Sequence, residues 1–433
     1  MQERRGINKT ETNTIKSKKT RYTFRRHQVV YTLLRPLFRL FLKIKYNYRA
    51  EKFCPDNVSG PYFILASHTG ALDPFMLAMS FKEPIYFVAS DHIFRLCLVS
   101  SIIRWLVAPI PIVKSQIDLQ AMRQIVSISR EGGTVCLFPS GNRSFSGPEL
   151  PIPEATGKLI RHMKCSVLFY RLEGGYLTSP RWGRHDRRGR LSGRVVGSLS
   201  AAEAAAMTPD ELNKLATGLL EADPYLNNIP GEVNFRGRRL AEHLERVLFV
   251  CPSCKSIASL ESTGSNFGCS NCDFAAEYLE NGWFNGLNKN SKEIISKLPH
   301  TSAFDSFQRA WFAELLMDPV KKSHYCHDPV FLDLNEILIR TSRAERNELI
   351  INGTLRLFSD RLEIEASDSR KMSFAICDLG RLSVHGPQVL QFYDSCSDAV
   401  YELKSDKPRS AYKYLVAIDL LKKYCSETKE EVG

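Results

Sequence analysis

Apolar and polar positions alternate between two periods along residues 50–175. Short apolar runs, typical of buried strands, cover 62–67, 84–89, 109–113, 133–138 and 166–171. Between these runs, apolar residues recur at helical spacing over 74–81, 92–106, 117–130 and 154–163. Strands that alternate with helices predict a largely parallel sheet covered by helices, so this part of the chain is expected to be α/β.

The segment before this region has a different pattern. Residues 22–48 combine a wide apolar face with a cationic stripe formed by Arg35, Arg39 and Lys43. This combination is typical of a helix that lies in a membrane interface. The alternative is a helix that packs on the domain and keeps its cations in solvent. Pro36 predicts a break into two helices.

A polar turn after the first predicted strand carries the first candidate chemistry. Residues 67–74 read Ser-His-Thr-Gly-Ala-Leu-Asp-Pro, so Asp73 can cap the next helix and Pro74 can begin it. Turns at the carboxyl ends of strands are where open α/β sheets bind ligands. Because a carboxylate can hold the tautomer of a neighbouring imidazole, His68 is a candidate general base. An Asp that only caps the helix is the alternative.

A second polar turn follows the strand predicted at 133–138. Residues 138–144 read Phe-Pro-Ser-Gly-Asn-Arg-Ser, and backbone N–H groups beside the Arg143 guanidinium suit a phosphate group. Between the two turns, residues 109–114 form a short predicted strand that ends in the cation Lys114.

Taken together, these blocks resemble the glycerolipid acyltransferases, a family that includes the 1-acylglycerol-3-phosphate acyltransferases. Residues 68–73 are similar to the family's H-x4-D motif, residues 138–144 to its F-P-E-G-T-R-S motif and residues 109–114 to the block between them. The resemblance covers residues 20–240, about half of the chain. It implies direct transfer of an acyl group from acyl-CoA or acyl-carrier protein to the hydroxyl of a lysophospholipid such as lysophosphatidic acid.

The resemblance also assigns roles to residues. His68 would take the proton of the acceptor hydroxyl, and Asp73 would orient His68. The residues expected to bind the acceptor phosphate are Lys114, Ser140, Gly141, Asn142 and Arg143. Three positions depart from the family pattern, since Ser140 replaces Glu, Asn142 replaces Thr and Lys114 replaces Arg. Because a Glu at position 140 would restore an orienting carboxylate, Ser140→Glu is predicted to raise activity on lysophosphatidic acid.

Four of the twelve cysteines follow a metal-binding pattern. Cys251, Cys254, Cys269 and Cys272 form two C-x2-C knuckles separated by fourteen residues, which can place four thiolates around one Zn²⁺. With all four positions occupied by protein, the zinc is predicted to be structural. The remaining cysteines are scattered, as is typical of reduced thiols in a cytosolic protein.

The net charge of +12 is concentrated at the N-terminus. Residues 1–50 contain 14 Lys and Arg and two acidic residues, so the rest of the chain is balanced. A basic arm adds attraction to anionic lipid. Without a signal peptide or an apolar stretch of spanning length, we expect a cytoplasmic protein that is peripheral on the membrane. The Arg-rich segment 171–194 is predicted to be a long loop, either a solvated surface or a contact for headgroups or acyl-carrier protein.

These patterns divide the chain into six segments. They are a disordered basic arm (1–21), amphipathic membrane-binding helices (22–48), an acyltransferase domain (49–245), a zinc ribbon (246–282), a helical linker (283–330) and a domain resembling the pleckstrin-homology (PH) or GRAM barrel (331–426). The last assignment depends on a period of two over several strands, followed by one helix.

Two other functions fit parts of the pattern. Ser140 and the PH/GRAM-like domain suggest a catalytically weakened lipid-binding scaffold, which an acyl-transfer assay would separate from an enzyme. The basic arm and the ribbon suggest a nucleic-acid-binding protein, whose binding would depend on salt and on the ribbon. Because the ribbon carries no basic cluster, no nucleic-acid partner is expected.

Overall fold

The structure is a computed structural model that describes residues 21–54, 58–90, 105, 108–112, 119–226, 233–341, 348–380 and 382–430. The predicted basic arm apart from Arg21, the predicted helix at 92–106 apart from Trp105, and Lys114 lie outside the described residues. The described part contains a seven-stranded mixed sheet, a four-stranded antiparallel sheet and a seven-stranded antiparallel sheet.

Strands and helices alternate through the first half of the chain. The strands are β1 (Tyr48–Ala50), β2 (Tyr62–Ala66), β3 (Ile85–Ser90), β4 (Ile110–Ile112), β5 (Thr134–Leu137), β6 (Ser166–Glu173) and β7 (Leu191–Leu199). The helices are α1 (Arg25–Tyr46), α2 (Asp73–Ala78), α3 (Leu119–Arg130), α4 (Ala155–Met163), α5 (Gly175–Thr178), α6 (Ala201–Ala206) and α7 (Pro209–Leu220). The five strands predicted from apolar runs are therefore present close to their predicted bounds.

These strands form one sheet in the order β1-β7-β6-β2-β5-β3-β4. Neighbouring strands are parallel except β6 and β7, which confirms the prediction of a largely parallel sheet. The central strand β2 is buried on both faces. Ile64 packs with α1 and α2, whereas Phe63 packs with α3, α4 and α7 on the opposite face. This double burial accounts for the continuous apolar run in the sequence.

Two expectations about local structure are wrong. The Arg-rich segment 171–194, predicted to be a long loop, contains the end of β6, the helix α5 and the start of β7. The small and polar residues of β7 hid its strand pattern. The helix α1 is also continuous through Pro36, and Arg35 and Arg39 on either side of it both donate hydrogen bonds to the Met79 carbonyl, at 3.1 and 2.8 Å.

The middle of the chain forms a small sheet followed by helices. The sheet has the order β11-β10-β9-β8, from β8 (Leu260–Thr263), β9 (Asn266–Cys269), β10 (Ala275–Tyr278) and β11 (Phe284–Gly286). The helices are α8 (Lys289–Lys297), α9 (Thr301–Met317) and α10 (Pro319–His324). Phe304 of α9 contacts the rings of Phe274 and Phe284, so α9 packs directly on this sheet.

The C-terminal part is an antiparallel sheet followed by one helix. Its elements are β12 (Phe331–Thr341), β13 (Glu348–Leu357), β14 (Arg361–Ala366), β15 (Lys371–Ala375), β16 (Ser383–His385), β17 (Val389–Asp394), β18 (Ala399–Ser405) and α11 (Ala411–Glu430). The order is β15-β14-β13-β12-β18-β17-β16. Among the described residues β15 and β16 are edge strands that do not pair with each other, so the PH/GRAM-like barrel stays a prediction.

One hydrophobic core joins the middle and C-terminal parts to the α/β part. It runs from Phe304 of α9 through the C-terminal sheet to Tyr412 of α11. Phe145 and Trp182 of the α/β part belong to the same core, and the Phe145 and Tyr412 rings stack at 4.6 Å. The later parts of the chain therefore pack against the loop that follows the second sequence motif.

Candidate active site

The two sequence motifs meet because their strands are neighbours. β2 pairs in parallel with β5, with Leu65 opposite Leu137, so both strands end at the same edge of the sheet. His68 follows β2 and Phe138 follows β5, and their ring centroids are 4.6 Å apart. This edge is where ligands bind to open α/β sheets.

His68 and Asp73 form a hydrogen-bonded pair in the first turn. The distance between His68 Nδ1 and Asp73 Oδ2 is 3.0 Å, and the Asp73 side chain is completely buried. The same Oδ2 atom accepts the main-chain N–H groups of Thr69 at 2.6 Å and Gly70 at 2.8 Å. Amide donors stabilise an ionised carboxylate away from water. The prediction that Asp73 caps the helix is wrong, because Asp73 is the first residue of α2 and its carboxylate bonds back to the preceding turn.

The second turn is compact and lies next to His68. Ser140 is buried, and its hydroxyl oxygen lies 3.4 Å from the Asn142 carbonyl oxygen. The Gly141 N–H donates to the Phe138 carbonyl at 3.0 Å. Gly141 has a φ of +69°, a left-handed conformation that glycine adopts without strain. The turn therefore brings four of the five predicted substrate-binding residues together, and the fifth, Lys114, lies outside the described residues.

Arg143 places a cation at the end of this turn. Burial lowers the pKa of the Arg143 guanidinium, while the negative charges of Asp73 and Asp186 act to raise it. A guanidinium that has lost part of its hydration gains from an anionic ligand, so this position suits a phosphate group.

Glu149 is a site residue that the sequence analysis missed. Its Oε2 accepts the main-chain N–H of His68 at 3.0 Å. Burial raises the pKa of Glu149 to about 7 and the charge of Asp73 adds to this, whereas hydrogen bonds from the Ser140 hydroxyl and the His68 amide act to lower it. The sequence feature that could have drawn attention to Glu149 is that it is the sole acidic residue between Glu131 and Glu154.

Side chains from later segments hold the loop that follows the second turn. Three main-chain carbonyl groups of this loop each accept one such hydrogen bond. The pairs are Arg181 Nη1 to Arg143 O at 3.1 Å, Tyr176 Oη to Phe145 O at 3.0 Å, and Thr301 Oγ1 to Ser146 O at 3.0 Å.

Arg181 also connects this loop to the C-terminal sheet. Its guanidinium donates to the Gly386 carbonyl at 2.9 Å and to the Val384 carbonyl, and it lies 4.2 Å from the centre of the Phe145 ring. Burial, together with the charge of Arg143, lowers the pKa of Arg181 to about 9. Carbonyl groups from two distant parts of the chain thus solvate one buried cation.

The four predicted zinc ligands lie together at the edge of the four-stranded sheet. The sulfur atoms of Cys251, Cys254, Cys269 and Cys272 are within 4.8 Å of one another. A hydrogen bond from Ser256 lowers the pKa of Cys254. Burial would raise the pKa of Cys269, but bonds from Ser259 and neighbouring donors outweigh it and lower that pKa. Burial raises the pKa of Cys251. Four cysteine sulfur atoms clustered in this way fit a tetrahedral Zn²⁺ site, in which the bound metal would favour the thiolate forms.

One protein-family model matches the α/β part of the chain. Residues 45–170 match the family model described as acyltransferase, a range that includes His68, Asp73 and the second turn. The match covers less than half of the chain.

Among solved structures, the chain is similar to the crystal structure of the 1-acyl-sn-glycerophosphate (LPA) acyltransferase PlsC from Thermotoga maritima. The two are 16% identical, with a TM-score of 0.38, over 45% of this chain and 78% of that chain. No curated protein matches the sequence.

The helices were also compared with the length and apolarity that a membrane span requires. Within the described part of the chain, none of them meets both requirements.

Proposed function

We propose that the protein is an acyltransferase that moves an acyl group from acyl-CoA or acyl-carrier protein to the hydroxyl of a lysophospholipid such as lysophosphatidic acid. The observation that carries this proposal is the His68–Asp73 pair at 3.0 Å, with the carboxylate completely buried, inside the range that matches the acyltransferase family. Asp73 would keep the Nδ1 proton in place, so that Nε2 is the atom that accepts a proton.

The reaction needs one proton transfer in each direction. His68 Nε2 would take the proton of the acceptor hydroxyl as its oxygen attacks the thioester carbonyl carbon. The carbon–sulfur bond then breaks, and the imidazolium returns the proton to the leaving thiolate, which gives an ester and a free thiol. The buried carboxylate of Asp73 would stabilise the imidazolium between the two steps.

The second turn would bind the acceptor. The partly buried guanidinium of Arg143 would contact its phosphate, with the main chain of Gly141 and Asn142 beside it. Lys114 is proposed to add a second cation. This arrangement is supported by the shared sheet edge of the two turns and by the desolvation of Arg143.

Association with a membrane would bring the acceptor to this edge. The helix α1 packs on the domain through Phe38, whose ring stacks on Phe75 of α2 at 5.0 Å. Elsewhere on α1, apolar side chains point into solvent, with Leu33, Leu37 and Ile44 between 64% and 66% exposed. An apolar surface beside cations suits the interface of an anionic bilayer. The helix that would touch lipid therefore contacts the helix that begins at Asp73.

An acyl-transfer assay tests the enzymatic proposal. Purified protein would be incubated with a panel of lysophospholipids and with acyl-CoA and acyl-carrier protein donors. We expect ester formation, and His68→Ala should reduce it about 10²–10⁴-fold because the general base is lost. His162→Ala, which removes an exposed histidine of α4, should leave the rate unchanged.

Two outcomes would contradict the proposal. A His68→Ala protein that keeps half of its rate would remove His68 from the chemistry. Binding of lysolipids without any transfer by the wild-type protein would support the scaffold function instead.

Co-sedimentation with anionic liposomes tests the membrane surface. The triple variant Leu33→Ser, Leu37→Ser and Ile44→Ser should no longer sediment with the liposomes. Full burial of one such apolar side chain contributes about 1.5–3 kcal/mol to binding, and the variant loses three of them. The matched control replaces Leu226, Leu334 and Leu349 with Ser, because these side chains are equally exposed elsewhere. Equal sedimentation of the two triple variants would contradict a membrane role for α1.

A further inference from the structure

Glu149 lies where the two turns of the candidate site meet. Its carboxylate accepts the main-chain N–H of His68 at 3.0 Å and also bonds with the Ser140 hydroxyl. One carboxylate therefore contacts both the residue that carries the candidate base and the residue at which the second motif departs from the family pattern.

The location of Glu149 accounts for the serine at position 140, where the family pattern has a glutamate. A glutamate side chain at position 140 would extend beyond the serine hydroxyl into the space that the Glu149 carboxylate occupies. Ser140 is only 8% exposed, so this space cannot hold both carboxylates without displacing one. Two carboxylates in one site also repel each other. The short side chain of Ser140 thus leaves the space that the longer side chain of Glu149 occupies.

The segment of Glu149 is anchored independently of this contact. The Glu149 N–H donates to the Ala222 carbonyl at 3.2 Å, just beyond the end of α7. This main-chain hydrogen bond places the segment, and the side chain then reaches from it to His68. Ionisation of a partly buried carboxylate opposes folding, and packing alone would not require a carboxylate at this position.

We propose that Glu149 is a positioning residue that supplies, from a later segment, the carboxylate that the acyltransferase motif carries at position 140. It holds the main chain of His68 and the Ser140 turn in one arrangement, so that the imidazole faces the acceptor-binding turn. This inference rests on the proposed function, because it gives Glu149 a part in the same site.

A residue swap tests the inference. The variants are Ser140→Glu, Glu149→Ser, the swap that combines both changes, and Glu149→Gln, which keeps the shape and hydrogen-bonding capacity. Each single change to Ser or Glu should reduce kcat roughly tenfold or more, the scale of lost hydrogen bonds to a charged group. The swap should recover most of this loss, and Glu149→Gln should stay within about threefold of the wild type. Glu154→Ala, which removes an exposed carboxylate nearby, is the control.

Melting temperatures of the same proteins provide a readout that does not depend on activity. If the wild-type protein transfers no acyl group, the proposed function fails, but the inference still predicts that the swap melts at a higher temperature than Ser140→Glu. This prediction also applies if Glu149→Ser alone does not fold. A swap that is no more active and no more stable than Ser140→Glu would overturn the inference, as would Glu149→Ser with an unchanged kcat.

Discussion

The two turns of the candidate site are held in different ways. The His68 turn is stabilised mainly from within, because the buried Asp73 carboxylate bonds to His68, Thr69 and Gly70 of the same short segment, and Glu149 adds one hydrogen bond from outside. The turn at residues 140–143 has hydrogen bonds of its own, but the turn and the loop that follows it are also held by side chains from other parts of the chain. Thr301 lies 155 residues from the carbonyl it bonds, and Arg181 joins the turn to the C-terminal sheet.

The turn proposed to transfer the proton and the turn proposed to bind the acceptor therefore depend on different contacts. The turn that would carry the proton-transfer groups depends mainly on contacts that a short motif encodes. The turn that would bind the acceptor depends on the assembly of the ribbon, the linker helices and the C-terminal sheet. We therefore expect changes in the first turn to act on kcat, and changes in the supporting segments to act mainly on KM for the acceptor or on stability.

Loss of zinc should have the largest effect. We expect one Zn²⁺ per chain by elemental analysis. Cys251→Ser should lose the metal and lower the melting temperature, since structural zinc is worth roughly 10–16 kcal/mol in small zinc-finger peptides. Acyl transfer should fall as well, because Thr301 lies on α9, which packs on the ribbon through Phe304.

The exposed Cys54→Ser serves as the control for this measurement. Metal-free protein with an unchanged melting temperature would refute the zinc site. A metal-free protein that unfolds more easily but keeps full activity would refute the dependence of the second turn on the ribbon.

Replacement of Asp73 should have the next largest effect. In Asp73→Asn the amide oxygen can take the place of Oδ2 and accept the Thr69 N–H, the Gly70 N–H and the His68 Nδ1–H, but the negative charge that would stabilise the imidazolium is lost. We expect kcat to fall about 10²–10⁴-fold, with KM for the acceptor nearly unchanged. A large rise in KM with normal kcat would show that Asp73 serves binding instead.

Replacement of Arg181 should have the smallest effect and the opposite kinetic signature. Lysine keeps the charge but cannot donate to the Arg143, Val384 and Gly386 carbonyls at once. Arg181→Lys should raise KM for the acceptor about tenfold, on the scale of one charged hydrogen bond, while kcat changes little. Arg184→Lys is the matched control, because Arg184 is exposed and bonds to Glu242 instead. If Arg181→Lys and Arg184→Lys have equal kinetics, the second turn does not depend on Arg181 and the proposed difference between the two turns is wrong.

The sequence predicted the parts of the structure that depend on neighbouring residues. Apolar runs located the strands of the α/β sheet, and the shared edge of parallel strands brought His68 next to Phe138. The cysteine knuckles lie together for the same reason, since each C-x2-C pair is local. The family match covers the two turns but does not test the roles given to individual residues.

The missed features depend on the path of the chain between distant segments. Glu149 reaches His68 because its own segment is anchored at Ala222, and no local pattern encodes that contact. Its bond with Ser140 also changes an expectation, because a second carboxylate at position 140 would now meet Glu149. We therefore expect Ser140→Glu to lower activity rather than raise it. The strand β7 was missed because its small and polar residues carry no apolar alternation.

The contact of Arg181 with the C-terminal sheet has a consequence for the order in which the protein matures. Its acceptors at Val384 and Gly386 lie 203 and 205 residues further along the chain, so the ribosome makes them long after residue 181 has emerged. Until then a guanidinium destined for burial has only water around it, and the acceptor-binding turn lacks its outer support. The nascent chain can complete its His68 turn early, but it gains a finished acceptor site only near the end of translation.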